Sequence, residues 1–267
     1  MSPKIDVIIP CYNAAETLER AVISALRQPE TGAVWLVDDT SGDNTAALIG
    51  RLKKADSRIR AETMLQNGGA AKARNWGALQ SRADLIAFLD ADDEYEDGAL
   101  AVPQFVLQNR PDIALVRQKL QPVGLPKHYC RAEGFADAWQ SLQMTVGGNM
   151  VFRRSVFLAA GGFPQDELFR RFGGEDVALG RAFLQCSIVA TVFGDNVPAV
   201  RHTLHPNAHA WQLLDSMLFG KMPEGIGEAE RQQADSISAT IAERLRSVAP
   251  VLNTAQTGVC PMEVTWR

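Results

Sequence analysis

The chain has 267 residues, of which 46% are hydrophobic and 22% are charged, and 27 Lys plus Arg against 31 Asp plus Glu give a net charge of −4. These values are typical of a globular protein with one large domain, or one domain with a modest appendage. Nucleic acids attract proteins that carry a basic stripe, so the slightly acidic balance argues against a nucleic-acid-binding protein.

No segment is typical of a signal peptide or of a membrane span. Near the N-terminus only residues 7–9 form an unbroken apolar run before Pro10, and no run approaches the roughly 18 residues that a bilayer requires. The four cysteines are far apart and form no CxxC pair, which favours reduced thiols over a zinc site or disulfides. We therefore predict a cytoplasmic protein, and the missing span leaves open a peripheral position at the inner face of a membrane.

Short apolar runs rich in Val, Ile and Leu alternate with stretches of helical period, which predicts βαβ units around a mostly parallel sheet. In chain order we predict strands over 5–9, 33–37, 59–64, 85–89, 113–116, 149–152, 188–193 and 199–202. The helices are predicted over 16–26, 45–54, 70–80, 99–108, 155–160, 177–184, 210–218 and 228–248, and 121–133 is predicted to be irregular. The last helix carries an apolar stripe that favours packing on its own domain.

Polar residues follow three of the predicted strands, at 10–13 (Pro-Cys-Tyr-Asn), 38–39 (Asp-Asp) and 90–93 (Asp-Ala-Asp-Asp). The ligand crevice of an open α/β sheet lies beyond the carboxyl ends of its strands. We therefore expect these groups to meet at one cleft.

Asp90 and Asp92 stand two residues apart where an extended strand ends, so both carboxylates can point toward the same side of that cleft. Carboxylates suit Mg2+ or Mn2+, which take few protein ligands and complete their shells with water and substrate phosphates. The alternative is that one Asp caps the next helix and the other is a solvated turn residue. Asp39 is equally ambiguous, because its segment could bind a nucleobase or ribose, or merely lead into a helix.

A Gly-rich turn at 67–69 opens the predicted helix that carries Lys72 and Arg74. Backbone N–H groups at a helix start, with cations nearby, favour phosphate. The segment matches neither GxxxxGK[ST] nor GxGxxG, which argues against a P-loop or a dinucleotide fold.

Two glycines precede Glu175 and Asp176 at the mouth of another predicted helix. Acids in a first turn are favourable to the helix dipole, and the functional alternative is a carboxylate general base at a loop-to-helix junction. Three of the four histidines follow at His202, His205 and His209. They could supply an imidazole to the metal, or simply lie beside a surface turn.

Taken in order, these motifs resemble the family 2 glycosyltransferases, which have the GT-A fold, over roughly residues 4–209. The segments that carry the resemblance are 7–13 (VIIPCYN), 37–39 (VDD), 69–75 (GAAKARN), 88–93 (FLDADD), 148–154 (GNMVFRR), 161–163 (GGF) and 174–176 (GED). The resemblance implies a GT-A-like domain over 1–215, followed by a C-terminal helical extension and tail over 216–267.

The resemblance also implies an inverting transferase that moves a sugar from a nucleoside diphosphate, most often UDP, to an acceptor hydroxyl. By that likeness the nucleotide would contact Pro10, Tyr12, Asn13, Asp39, Lys72, Arg74, Asp90 and Ala91. Asp92 would hold Mn2+ or Mg2+, with Asp90 near the ribose or the metal, and His205 or His202 as a further ligand. Asp176 would be the base, with Glu175 beside it. The acceptor could be a glycan, a lipid-linked intermediate or a protein, and the 228–248 helix is where contacts of a homo-oligomer would be sought.

The chain departs from the family's commonest sequence motif at Thr40, where the usual Asp-Asp-Gly-Ser turn has Gly. Its 118–145 stretch matches no acceptor-binding motif. A phosphatase with a DxD nucleophile would carry that motif after its first strand. A nucleotidyltransferase would need a Gly-rich loop where this chain has Pro-Cys-Tyr-Asn. The strongest alternative from another class is a nucleotide-sugar binding protein without catalytic activity.

Overall fold

A computed structural model of the chain describes residues 2–205, 208–221, 225–252 and 256–264. Its N-terminal part alternates strand and helix as the apolar periodicity predicts. The elements are β1 (Ile5–Cys11), α1 (Leu18–Leu26), β2 (Thr31–Asp38), α2 (Thr45–Ala55), β3 (Ile59–Thr63), α3 (Ala70–Gln80) and β4 (Leu85–Phe88).

The rest of the chain is less regular. Its elements are β5 (Glu94–Tyr95), α4 (Ala101–Asn109), β6 (Ile113–Gln118), β7 (Leu120–Val123), α5 (Lys127–Cys130), α6 (Phe135–Gln143), β8 (Met150–Arg153), α7 (Arg154–Ala160), α8 (Glu167–Phe172), α9 (Glu175–Cys186), β9 (Ile188–Val192), β10 (Val200–Thr203), α10 (His209–Phe219), α11 (Glu228–Leu252) and β11 (Gly258–Pro261). The prediction of an irregular 121–133 stretch was therefore wrong, because it contains most of β7 and all of α5. Elements of four to six residues are too short to show a periodicity.

Within the described residues the main sheet has eight strands in the order β11-β9-β6-β8-β4-β1-β2-β3. Its pairs are parallel except around β8, which runs antiparallel to both β4 and β6. β5, β10 and β7 form a second, small sheet. The α/β class and the mostly parallel sheet are thus confirmed.

Helices cover both faces of the main sheet and bury two apolar cores. One core lies under α1, α2 and α4, and the other lies under α3, α7, α9 and α11. A group of rings in mutual edge and tilted contact fills the second core, formed by Phe88, Phe152, Phe157 and Phe163. Because central strands are covered on both faces, their sequences are continuous apolar runs.

The described residues after 215 pack on this same framework. α10 runs through residue 215, and Ile241, Ala242 and Leu245 of α11 belong to the second core. β11 extends the main sheet by pairing with β9. The division into 1–215 and 216–267 stays a prediction. Among the described helices, none has both the length and the apolar character that a bilayer crossing needs.

Candidate active site

A cleft of about 590 Å³ opens where β1, β2 and β4 end, as the strand-end argument predicts. Its lining includes nine of the residues that the sequence singled out, namely Pro10, Tyr12, Asn13, Asp39, Arg74, Asp90, Ala91, Asp92 and His205. The topology brings them together because parallel strands place their carboxyl ends at one edge. Residues 80 positions apart thereby share one pocket.

Lys72 does not line this cleft. Ala70 and Arg74, four residues apart on α3, face the cleft, whereas Lys72 lies between them on another side of the helix. Its side-chain carbons lie over Gly68, where an added Cβ would come within 2.7 Å of Lys72 Cδ. A contact between Lys72 and a nucleotide stays a prediction, and in this structure Arg74 is the α3 cation that faces the cleft.

Asp39 fixes the Gly-rich turn at one end of the cleft. Its two carboxylate oxygens accept hydrogen bonds from the N–H groups of Gly68, at 2.8 Å, and Gly69, at 2.7 Å. The Asp39 side chain is buried, yet it borders the cleft, and each oxygen has a second lone pair available for a ligand. Asp39 therefore shapes the turn whether or not it also faces a base.

The loops after β1 and β2 are tied to each other beside the cleft. Asn13 has a positive φ of 49°, and its Oδ1 accepts a hydrogen bond from the Gly42 N–H at 2.8 Å. Thr40 also has a positive φ, of 61°, at the position where the family's usual turn has Gly. A β-branched residue is strained in that region, so this turn keeps its shape at an energetic cost that Gly would avoid.

Arg74 lies at the floor of the cleft and forms two ion pairs. Its guanidinium donates to Asp90 Oδ1 at 2.5 Å and to Glu175 Oε1 at 3.3 Å, and the side chain is only 6% exposed. Burial alone would raise the pKa of Asp90, but the Arg74 guanidinium lowers it below its ordinary value. Burial likewise opposes the charge on Arg74, yet both carboxylates together raise the pKa of Arg74. Arg74 and Asp90 are therefore both charged at neutral pH.

A second cavity, of about 240 Å³, lies on the other side of Arg74 and shares Arg74, Asp90 and Asp92 with the first. Glu175, Asp176, His202 and His209 line it. The two carboxylates at the start of α9 thus lie next to the strand-end cleft although they are more than 80 residues away in sequence.

Asp176 is held by backbone donors at the start of α9. Its Oδ2 accepts a hydrogen bond from the Gly147 N–H at 2.9 Å, and its Oδ1 accepts one from the Val177 N–H at 2.8 Å. The preceding Gly174 has a φ of 93°, which a residue with a side chain rarely adopts. Burial and the neighbouring Glu175 charge raise the pKa of Asp176 to about 7. A carboxyl that titrates near neutral pH is suited to accept a proton.

The candidate metal ligands lie between the two cavities. Asp92 Oδ2 is 2.9 Å from His205 Nε2, and His202 Nδ1 is 2.7 Å from the buried carboxylate of Asp93. That carboxylate orients the His202 ring and raises its pKa against the effect of burial. The other ring nitrogen, Nε2, is buried and has no hydrogen-bond partner. Pro206 and Asn207, which complete the predicted turn after His205, lie outside the described residues.

No group of three or more Asp, Glu, His or Cys among the described residues is arranged to hold a metal ion unaided. One carboxylate and one imidazole in contact, with an orphaned imidazole nitrogen nearby, fit an ion that takes its other ligands from water and substrate phosphates. The residues present therefore fit Mn2+ or Mg2+ bound jointly with a diphosphate.

The turn over 143–149 includes a 3-10 segment at Gly147–Asn149, and the sequence motifs covered only its last two residues. It contacts the site through a backbone N–H group, which leaves no side-chain signature. His209 lay in the recognised histidine stretch, but only the fold shows that it borders the second cavity.

The family model for glycosyl transferase family 2 matches residues 6–159, which is more than half of the chain. The chain belongs to glycosyl transferase family 2. The matched segment of this family 2 chain carries the strand-end residues 10–13, 38–39 and 90–93 as well as the Gly-rich turn.

Two curated relatives each match about a third of this chain. The succinoglycan biosynthesis protein ExoU of Rhizobium meliloti is 39% identical over 94 residues, which cover 35% of this chain and 28% of ExoU. The Escherichia coli protein WfgD, named as a UDP-Glc:alpha-D-GlcNAc-diphosphoundecaprenol beta-1,3-glucosyltransferase, is 40% identical over 92 residues, which cover 33% of this chain and 35% of WfgD. This chain thus matches well under half of the length of either relative.

Solved structures extend the likeness to nearly the whole family 2 chain at the level of the fold. S. aureus TarS 1–349 in complex with UDP superposes with a TM-score of 0.60 at 18% identity, covering 94% of this chain and 86% of that one. The mannosyltransferase PcManGT from Pyrobaculum calidifontis, in complex with GDP-Man and Mn2+, gives a TM-score of 0.62 at 16% identity, covering 96% and 77%. The predicted GT-A architecture is thereby confirmed.

Proposed function

We propose that the chain is an inverting glycosyltransferase that moves a hexose from a UDP-sugar to an acceptor hydroxyl. The observation that carries this proposal is the arrangement around Arg74, which separates a nucleotide-sized cleft from a smaller cavity that holds the Asp176 carboxylate. A donor in the cleft would present its sugar toward Arg74 and Asp90. An acceptor in the smaller cavity would meet Asp176.

The reaction requires one displacement at the anomeric carbon. The acceptor oxygen forms the new bond to that carbon as Asp176 takes its proton, and the bond from the carbon to the diphosphate breaks, with the electron pair leaving on the diphosphate. The pKa of Asp176, raised to about 7, makes its carboxylate a stronger base than an ordinary Asp. No covalent intermediate on the protein is needed, so attack from the opposite side inverts the configuration.

Positive charge near the diphosphate would stabilise the leaving group. A divalent ion supplies it when bound, because it neutralises developing phosphate charge without transferring a proton. Asp92 would hold the ion. Either His205, whose Nε2 contacts Asp92, or His202, whose Nε2 has no hydrogen-bond partner, would supply an imidazole ligand. Arg74 keeps Asp90 ionised and oriented at the border of the two cavities.

Support for the donor and the acceptor comes from the relatives. TarS has been solved with UDP and with UDP-GlcNAc, and WfgD is named for a UDP-Glc donor and a diphosphoundecaprenol-linked acceptor. A UDP-hexose donor and a lipid-linked acceptor are therefore the first pair to try, followed by glycan and protein acceptors. A lipid-linked acceptor would require work at a membrane surface.

The test is a panel of UDP-sugars with Mn2+, in which release of UDP and sugar transfer are measured for the wild type and for D176N. D176N keeps an acceptor for the Gly147 N–H but cannot take a proton, so turnover should fall on the order of 10²–10⁴-fold while UDP binding survives. D195N, which alters an exposed carboxylate, is the matched control and should match the wild type. Normal turnover by D176N would refute the base. UDP binding without turnover on any donor would favour a binding protein.

A further inference from the structure

The central strand β6 carries a fully buried arginine. Arg117 is 1% exposed, on a strand whose other residues are also buried. Within the described residues it forms no ion pair with a carboxylate. Burying a guanidinium costs free energy unless its donors and charge are satisfied, so the contacts of Arg117 need an explanation.

One nitrogen of the Arg117 guanidinium fixes the turn over 143–149. Arg117 Nη1 donates to the carbonyl of Val146 at 3.1 Å, to Asn149 Oδ1 at 3.3 Å and to the carbonyl of Gln143 at 3.4 Å. The same turn supplies the Gly147 N–H that donates to Asp176 Oδ2. Arg117 is therefore linked through this one turn to Asp176, the carboxylate that we assign as the base.

The other side of the guanidinium faces α9. Arg117 Nη2 lies so close to Gly180 that an added Cβ there would be 2.4 Å away. Gly180 follows Asp176 by four residues, so it lies one helical turn behind Asp176 on the same face. Arg117 Nη2 and Nε are buried and have no hydrogen-bond partner. These N–H groups are unpaired, and the positive charge that they carry faces α9, the helix that begins with Glu175 and Asp176.

We propose that Arg117 is a positioning residue for Asp176: it fixes the turn whose Gly147 N–H holds the carboxylate, and it places a buried positive charge behind that carboxylate. This inference rests on the proposed function, in which Asp176 is the base. Gly180 is part of this arrangement because any side chain at position 180 would displace the Arg117 guanidinium.

The electrostatics agree with this geometry. Burial lowers the pKa of Arg117 to about 10, so the guanidinium stays protonated at neutral pH. Burial and Glu175 raise the pKa of Asp176, whereas Arg74 and Arg117 lower it. The other titratable groups that line the same cavity are Asp90, Asp92, His202 and His209. Without the Arg117 charge, the pKa of Asp176 would be higher, and less of the carboxylate would be ionised at pH 7.

The test compares the pH dependence of kcat/KM for the wild type, R117K and R117M. The Arg117 charge lowers the pKa of Asp176, so R117M should move the acid limb of the profile upward, on the order of 1 pH unit. R117K keeps the charge but not the forked donors. Its limb should stay within a few tenths of a unit of the wild type while kcat falls. A purely structural role would lower activity equally at every pH, and an unmoved limb in R117M would overturn the proposal.

A second pair of variants serves if R117M does not fold. G180A keeps the charge and displaces the guanidinium, and a misplacement of about 1 Å near a catalytic group costs up to about 100-fold. We expect G180A to lower kcat/KM by at least about 10-fold, with the acid limb shifted upward. G50A, which adds a Cβ to open space on α2, is the matched control and should retain wild-type kinetics. Wild-type kinetics in G180A would overturn the proposal.

The D176N variant distinguishes failure of the positioning role from failure of the proposed function. If D176N is inactive while both R117M and G180A keep the wild-type acid limb, the positioning role fails and the proposed function stands. If D176N turns over normally, the proposed function fails together with the positioning role.

Discussion

Replacing Asp176 by Asn should stabilise the protein at alkaline pH while it removes activity. The carboxyl has an ordinary pKa of 3.8, and burial with the Glu175 charge raises it to about 7 in the folded chain. The folded state therefore binds this proton more tightly than the unfolded state. Between pH 4 and pH 7 this carboxyl is more protonated in the folded chain than in the unfolded chain, so its contribution to stability falls as pH rises through this window.

The size of the effect follows from the shift. One pKa unit corresponds to about 1.4 kcal/mol, so a shift of about 3 units makes ionised Asp176 unfavourable by at most about 4 kcal/mol above pH 7. Asn does not ionise, and its side-chain oxygen can still accept the Gly147 N–H, but the Val177 N–H loses its acceptor at a cost of about 1 kcal/mol. We expect D176N to gain about 1–3 kcal/mol in the free energy of unfolding at pH 8, and to lose up to about 1 kcal/mol at pH 4.

Urea unfolding of the wild type and of D176N at pH 4, 6 and 8 measures this difference. D195N removes an exposed carboxylate and should follow the wild type at each pH. A D176N protein that is no more stable than the wild type at pH 8 would refute the reasoning. It would mean that ionisation of Asp176 costs the folded chain no more free energy than it costs the unfolded chain.

Three further outcomes are expected. G77A should destabilise the chain by about 1–3 kcal/mol in urea unfolding, because an added Cβ would lie 2.6 Å from Ile8 Cγ2; G50A meets no neighbour and should gain up to about 1 kcal/mol, so equal midpoints would contradict the packing argument. N75A should cost about 1–3 kcal/mol, because the buried amide exchanges two hydrogen bonds with the backbone of Phe163, and an unchanged midpoint would speak against it. Chelation with EDTA should stop sugar transfer, added Mn2+ should restore it, and transfer that persists in the chelator would remove the metal from the mechanism.

The parts of the fold that were predictable are those whose environment determines their residue types. β1 and β4 are covered on both faces, so their apolar runs identify them, and α3 was predicted with the bounds that the structure shows. The meeting of 10–13, Asp39 and 90–92 at one cleft followed from the parallel order of β1, β2 and β4. The strand order therefore brings motifs that are far apart in sequence to one cleft.

The parts that were missed depend on context that a local pattern lacks. Pro122 suggested an irregular stretch because it cannot donate to a sheet, yet β7 is an edge strand of the small sheet and tolerates it. A charged residue in a strand usually indicates a solvent-facing side, and Arg117 is buried instead. The contact made by Gly147 uses its backbone, which every residue type possesses. Lys72 was named together with Arg74, but it lies on another side of α3 from the cleft, so its contact with a nucleotide stays a prediction.

The pairing of β11 with β9 has a practical consequence for shortened forms of the chain. β9 has the sequence IVATV, with no charge and no proline, and all five residues are buried. Removal of β11 would leave one side of β9 without backbone partners, and an uncharged apolar edge of this kind recruits strands from other molecules. A form that ends before β11 should therefore aggregate although its site residues are intact, and residues 256–264 would then act as a solubility element for the sheet.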